Sequence, residues 1–331
     1  MSRRGETMDK KGTLAEALSL HFWQSVDQQI RKDHTVQKEL YHYTGLDSLM
    51  GMVETNNLWM SRGTFLNDSN ELIYIEGIIN KVLGQVENKL TDNFGEDTYI
   101  QELKKLFILE LKQTWQRFME KIDLDDFEVY IFSLTENKDS LALWYNYAKG
   151  DGYNIGFSSG DMLKKINDFS SHFAREYTLV YGRVIYDRRE QEQIVMDFLM
   201  ETFQYLSHLH PQYTLQEIGG ELSEHFFSIL ATCSIFFKDE AFKSEEEYRI
   251  ALPRKLTTKE RGPEVFFRAS NGVIIPFITI HFPEKLPIKR VTIGPKNNID
   301  IAKAGMEYYL KSKGYETERM VISKSVASLR Y

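Results

Sequence analysis

Apolar positions at Leu14, Ala17, Leu18, Phe22 and Val26 recur at helical spacing and predict an amphipathic helix over residues 13–31. A short strand follows around Leu40 to Tyr43. Thr44 and Asp47 then have the form of a capping box, opening a helix through Leu46, Leu49, Met50 and Val53. Asn56-Asn57 marks a turn before the apolar run Leu58 to Ser61, and Phe65 to Glu71 supplies turn formers and an acidic helix start. Residues 71–90 and 99–122 keep clean helical periodicity, the second through Tyr99, Leu103, Leu106, Leu111, Trp115, Phe118 and Ile122. Asp92 to Gly95 reads as the turn between them.

From Phe127 the period changes to two. Val129, Ile131 and Ser133 alternate with Tyr130, Phe132 and Leu134, and Tyr153 to Ser158 and Glu176 to Tyr186 also read as strands. A short helix at Ser140 to Ala148 sits among them, and a helical block spans roughly 190–237. Beyond it lie strands at Tyr248 to Leu252, Glu264 to Arg268, Val273 to Phe282 and Arg290 to Gly294, then a helix around 300–313 and a strand at Glu316 to Ile322. With no repeat and no clean linker, the pattern predicts a helical extension over 1–37. One α+β domain over 38–331 follows it, a mixed or antiparallel β core carrying helical insertions near 71–122 and 190–237.

Composition supports an ordered chain. Of 331 residues, 42% are hydrophobic and 13% aromatic, against 20 Gly and 7 Pro. The only cysteine, Cys233, excludes an intramolecular disulfide and a thiolate cluster, which suits a reducing compartment such as the cytoplasm. The basic, polar start MSRRGETMDKKG leads into no apolar run, and no stretch of membrane-spanning length is uncharged and apolar, so neither export nor a membrane partner is expected. A formal charge of −7 argues against wholesale attraction to nucleic-acid phosphate, leaving nucleic acid only as a specific acceptor.

GxxxxGK[ST], HExxH, GxSxG and GxGxxG are all absent. Of the eight histidines only His208 and His210 have ligand spacing, and nothing nearby suggests a third ligand, so no metal is expected. Two segments are more informative. In Tyr41-His42-Tyr43-Thr44, strand alternation puts His42 and Thr44 on one face and both tyrosines on the other; the plain reading is a half-buried structural strand. In Glu245-Glu246-Glu247-Tyr248-Arg249, alternation would put Glu245, Glu247 and Arg249 on one face. Two carboxylates so placed repel, raising one pKa unless Arg249 neutralises it, and the plain reading is a salt-bridged strand. Asn67 to Glu71 reads as a helix start, and Ser133 to Glu136 with Trp144 to Tyr147 as a strand end and core aromatics.

In order along the chain, these pieces resemble a bacterial family, domain of unknown function 2971. The resemblance rests on Tyr41 to Thr44, Asn67-Asp68 with Glu71, Phe132-Ser133, Trp144 with Tyr147, and Gly152 with Ile155 and Phe157. Glu245 with Glu247 and Arg249, Ile293-Gly294-Pro295, and more loosely Ser323 to Arg330 complete it; Ser69 departs from the proline common there. That family's layout is similar to a distant ADP-ribosyltransferase with a split sheet: a histidine on the first strand, a hydroxyl residue on a middle strand and Glu-x-Glu on a late one.

The resemblance implies an enzyme that consumes NAD as substrate, by ADP-ribose transfer or NAD hydrolysis, in a toxin or antiphage setting. Cleaving the nicotinamide–ribose bond passes through an oxocarbenium-like state that a buried carboxylate stabilises. On this reading Glu247 is the catalytic carboxylate, Glu245 orients the acceptor or shares the charge, and His42 with Thr44 grips a ribose. Tyr43, Ser133, Trp144 and Tyr147 line the nicotinamide pocket, Asn67 belongs with the cofactor contacts, and Arg249 contacts a pyrophosphate or neutralises Glu247. The acceptor, protein or nucleic acid, is left open.

Two other readings stay open. One is a non-catalytic ligand- or protein-binding module, its helices at 71–122 and 190–237 docking a partner; the other, disfavoured by the acidic charge, is an enzyme acting on RNA ends. Two geometric features discriminate. The catalytic reading needs His42 and Glu247 in one cleft, and a closed Arg249–Glu247 pair makes that face structural.

Overall fold

Strand β3 (Val129–Thr135) is the axis of the fold, because three other strands hydrogen-bond to it. In this computed structural model, residues 13–31, 38–66, 72–95, 97–123, 126–172, 177, 179–209, 212–254, 263–270 and 272–327 are described. Along its whole length β3 pairs with β6 (Glu247–Pro253), from Val129↔Pro253 to Thr135↔Glu247. Its other edge is divided. β2 (Asn57–Arg62) pairs at Ser61↔Ile131 and Arg62↔Tyr130, whereas β1 (Glu39–Thr44) pairs only at Tyr41↔Thr135. The sheet therefore splits beside Phe132, Ser133 and Leu134.

On one side of the split, β1 continues antiparallel through β4 (Tyr153–Ser158) to β9 (Ile288–Ile293), with β10 (Val321–Lys324) added in parallel at the edge. On the other side, β2 continues to β8 (Val273–His281) and β7 (Phe266–Ser270), while β5 (Val180–Arg183) pairs with β6. The result is a mixed α/β architecture around an open, mostly antiparallel sheet.

Period-two alternation gives this sheet two different coverings. Leu40, Phe132, Leu134, Ile155, Phe157, Tyr248 and Ile250 join one core, shared with Leu49, Met52 and Val53 of α2 (Leu46–Thr55). Met162 and Ile166 of α6 (Ser159–His172) and Met306 and Leu310 of α9 (Ile299–Ser312) complete it. On the opposite face Val129, Ile131, Val180 and Ala251 lie under a helical layer. That layer comprises α1 (Leu14–Gln29), α3 (Glu76–Asn93), α4 (Thr98–Asp123), α7 (Arg188–His208) and α8 (Leu215–Phe236). Capping boxes at Thr13 with Glu16 and Thr214 with Glu217 start α1 and α8. Helix α1, read as an extension, buries Leu14, Leu18, Phe22 and Val26 in the same core as α7 and α8.

Four local expectations are corrected. Gly45, not Thr44, is the N-cap of α2, and no side chain caps it. Helix α6 was not expected; β4 runs straight into it at Ser159. The strand expected from Glu316 begins only at Val321, after a 3-10 turn over Thr317–Arg319. Among the described residues of the strand expected over Glu176 to Tyr186, Val180–Arg183 form the regular strand, with single bridges at Tyr177 and Ile185.

The turn into β4 depends on Gly152. A Cβ there would lie 2.4 Å from the Thr44 carbonyl oxygen and 2.8 Å from that of Ala148, both rigid backbone. Gly152→Ala is expected to cost about 1–3 kcal/mol by forcing β1 away from the turn after α5 (Leu141–Ala148). Urea denaturation measures it, and an unchanged midpoint would show that the turn can shift freely.

A candidate site around Glu245, Glu247 and Arg249

Helix α8 ends at Phe236, and the chain places Lys238 beneath the start of β6 before a 3-10 helix over Glu240–Glu245. Glu246 then adopts a left-handed φ of 43°, which turns the chain sharply into β6. The expected alternation of Glu245, Glu247 and Arg249 along one strand is thereby corrected: Glu245 precedes the corner and only Glu247 and Arg249 alternate on β6. The corner nevertheless folds both carboxylates onto one cation. Lys238 Nζ donates to Glu245 Oε2 at 2.7 Å and to Glu247 Oε2 at 3.3 Å.

Arg249 closes the cluster. Its Nε donates to Glu247 Oε1 at 2.9 Å and its Nη2 to Oε2 at 2.8 Å, a bidentate pair, while Nη1 donates to the Ile235 carbonyl at the end of α8. Arg249 is 0% exposed and Glu247 is buried. Burial pushes the Glu247 pKa up, but the Arg249 and Lys238 charges, with hydrogen bonds from Arg249 and Ser133, outweigh it and hold the carboxyl well below the usual range. It is an ionised carboxylate whose two oxygens are both engaged. Two buried cations face two buried carboxylates, so the cluster is neutral as a unit.

Several expected residues gather around it. Tyr147 of α5 donates to Glu245 Oε1 at 2.7 Å, Thr135 Oγ1 donates to the Glu245 carbonyl, and the Glu247 amide donates to the Tyr186 hydroxyl at 3.1 Å. Burial raises the Tyr186 pKa, with Glu247 adding to the effect, so that hydroxyl stays protonated. Tyr43 packs edge-on against Trp144 at 4.8 Å, accepts from the Ser140 amide and donates to the Asn137 carbonyl. Trp144 is 0% exposed and donates to Asp139 Oδ1, so its ring is core and does not wall a pocket. Asp139 also accepts from Ser325 Oγ and the Val326 amide, tying the chain after β10 to α5.

His42 and Thr44 are placed apart from this cluster. Tyr41, Thr135 and Glu247 form one row across β1, β3 and β6, so Tyr41 shares the Glu247 face and His42 takes the other. There the His42 ring stacks on Phe132 at 4.6 Å, and its Nδ1 lies 2.9 Å from the Ser133 carbonyl oxygen in the split. A carbonyl only accepts, so Nδ1 carries the proton and Nε2 is the acceptor nitrogen. Burial, against the raising effect of the Ser133 carbonyl and with the Arg268 charge, lowers the His42 pKa to about 4. Thr44 is buried on the same side, opposite Tyr153. Ser133 links the two halves, with its carbonyl on His42 and its hydroxyl on Glu247. Asn67 and Arg330 lie outside the described residues.

Sequence reasoning missed Lys238, Tyr186, Asp139 and Tyr41 as members of this neighbourhood. Only Lys238 carried a signal, as the first charge after the apolar run Ile235 to Phe237. Among the described residues no group of three or more His, Cys, Asp and Glu could hold a metal ion, and no helix is long and apolar enough to cross a membrane.

The fold is thus a split, mostly antiparallel sheet with two buried carboxylates at one corner, Glu245 just before β6 and Glu247 at its start. Residues 143–250 match the family described as Protein of unknown function (DUF2971), in agreement with the ordered motifs. The matched stretch contains Trp144, Tyr147, Gly152, Ile155, Phe157, Glu245, Glu247 and Arg249; Tyr41 to Thr44, Ser133 and Ile293 to Pro295 lie outside it. No curated protein matches the chain. No solved structure matches it either.

Proposed function

We propose that this chain is a non-catalytic ligand-binding module built on an ADP-ribosyltransferase-like sheet. The observation that carries the reading is the closed cluster at Glu247: Arg249 takes both carboxylate oxygens, and Lys238 shares one of them with Glu245. Stabilising an oxocarbenium ion requires a carboxylate whose charge is not already compensated and whose oxygen can accept from a ribose hydroxyl. Glu247 offers neither in this arrangement, and His42, the expected ribose grip, faces the other side of the sheet.

A second reading, NAD-consuming ADP-ribosyltransferase chemistry with an unidentified acceptor, is favoured by one specific observation. Strands β1, β3 and β6 carry His42, Ser133 and Glu247 side by side at the split, with Ser133 touching both. Glu247 is also already ionised, as that chemistry requires. Turnover would then need Arg249 or Lys238 to exchange for substrate.

Nicotinamide release from NAD, followed by mass spectrometry with the full chain and with Glu247→Gln, separates the two. The binding-module reading expects no release that depends on Glu247. Release by the wild type that disappears in a folded Glu247→Gln variant would replace it with the enzyme reading.

A further inference from the structure

A cavity of about 330 Å³ opens beside the Glu247 cluster, where the end of α1, the start of β1, the end of β3 and the β5–α7 connection meet. Four cations from segments far apart in sequence line it: Arg31, Lys38, Arg183 and Lys243. Three carboxylates, Glu136, Asp187 and Glu190, line it as well, so cations outnumber anions by one.

Two of these three carboxylates, Glu136 and Asp187, have side chains with defined partners within the protein. Glu136 holds Arg183 in a fork, accepting from Nε at 2.8 Å and from Nη2 at 3.1 Å, and Asp187 caps α7 by accepting from the Glu190 amide. Lys38 Nζ lies 3.9 Å from Glu136, beyond hydrogen-bond length, and Lys243 Nζ lies at the same distance from Glu240. Arg31 sits over the Tyr181 ring at 3.9 Å and donates from Nη1 to Asp27 Oδ1 at 2.8 Å, contacts that together fix its guanidinium at the cavity wall. Most of the remaining wall is apolar or aromatic, formed by Ile30, Leu40, Val184, Ile185, Tyr186 and Tyr248, with Gln29 and Ser159 as its uncharged polar members.

A charged rim over an apolar, aromatic body fits an occupant with the same division, and the volume falls at the small end of ligand pockets. We propose that this cavity binds a phosphorylated small molecule of mononucleotide size, its phosphoryl group held by Arg31, Lys38 and Lys243 and its ring system against Tyr186 and Tyr248. The inference gives the ligand-binding reading a site and a ligand class, and rests on that reading. Tyr186 connects the two regions, since its hydroxyl accepts the Glu247 amide hydrogen while it lines the cavity.

Isothermal titration of the full chain with AMP, adenosine and inorganic phosphate tests the assignment, on the wild type and on Lys38→Glu and Lys243→Glu. Both lysines are exposed enough for charge reversal without core damage, and unchanged thermal midpoints of the ligand-free variants verify this. AMP is expected to bind, adenosine to bind about tenfold more weakly or worse, and each reversal to weaken AMP by about tenfold. Binding should also fall as salt rises. No binding of AMP or phosphate, equal binding of adenosine, or AMP binding indifferent to both reversals would overturn the site. Phosphate binding without AMP binding would overturn the mononucleotide-sized occupant. Nicotinamide release is a separate readout, so AMP binding lost with Lys38→Glu in a chain that also cleaves NAD would retain the site and remove the non-catalytic reading.

Discussion

Arg249→Met lowers the stability of the chain by about 3–5 kcal/mol, because it strands a buried carboxylate rather than merely removing a contact. Glu247 would keep the Ser133 hydroxyl and a single cation, Lys238, 3.3 Å away and closer to Glu245 at 2.7 Å, while the Ile235 carbonyl at the end of α8 loses its charged donor. The uncompensated charge has little access to water, since Glu247 is buried on all sides by β3, α8 and the corner at Glu246. Replacing both partners, as Glu247→Leu with Arg249→Met, removes the stranded charge and is expected to recover most of the loss. Urea denaturation at pH 7 of the two single variants and the double variant provides the cycle. A loss below about 1 kcal/mol for Arg249→Met would mean that the cluster is hydrated and open, which would favour the catalytic reading of Glu247.

The same cluster shows where the sequence stops being informative. Alternation at Val129 to Leu134 announced β3, and spacing through Leu103, Leu111 and Phe118 announced α4, because each pattern depends only on neighbours along the chain. Helix α6 escaped because Gly160 and the Lys164-Lys165 pair interrupt what Met162 and Ile166 establish, so its beginning looks like a loop. Which face His42 takes relative to Glu247 was beyond any local pattern. It depends on the single register point Tyr41↔Thr135, and a slip of one residue would have exchanged His42 with its neighbours. Glu245 and Glu247 were identified as a pair, yet what unites them is the corner at Glu246 and a lysine from the end of α8, neither of which strand alternation contains.

The split of the β3 edge has a similar origin. Each of β1 and β2 is legible as a short strand, but that they occupy different ends of one edge follows from long-range pairing. The split brings the Ser133 carbonyl to His42 instead of to a strand amide, so the histidine completes the backbone hydrogen bonding there. That gives His42 a structural reason to be neutral and fixed in orientation, whatever ligand the molecule takes.

Lowering the pH from 7 to 5 is expected to cost about 2 kcal/mol through His225 alone, inside the helical layer and away from Glu247. His225 of α8 is buried, and its Nε2 lies 2.9 Å from Thr202 Oγ1. That hydroxyl donates to the Phe198 carbonyl, so Nε2 carries the proton and Nδ1 is bare. Burial, with the His21 ring opposite it on α1 adding a smaller effect, lowers the His225 pKa to about 3 from an ordinary 6.5. Between those values the unfolded chain binds a proton that the folded chain refuses, so stability falls as pH drops below 6.5 and levels off below 3. His21, stacked on Tyr205 at 4.8 Å, is also lowered by burial, against a raising effect from Glu201, and acts in the same direction. So does Glu247, whose depressed pKa withdraws stability as it becomes protonated, though at lower pH. His225→Gln retains a donor for Thr202 and removes the titration. The variant starts less stable at pH 7 but should lose about 2 kcal/mol less than the wild type on going to pH 5, measured by urea midpoints at both values. Equal losses in the two proteins would show that His225 is protonated in the folded state, and that the α1–α7–α8 interface admits water at this ring.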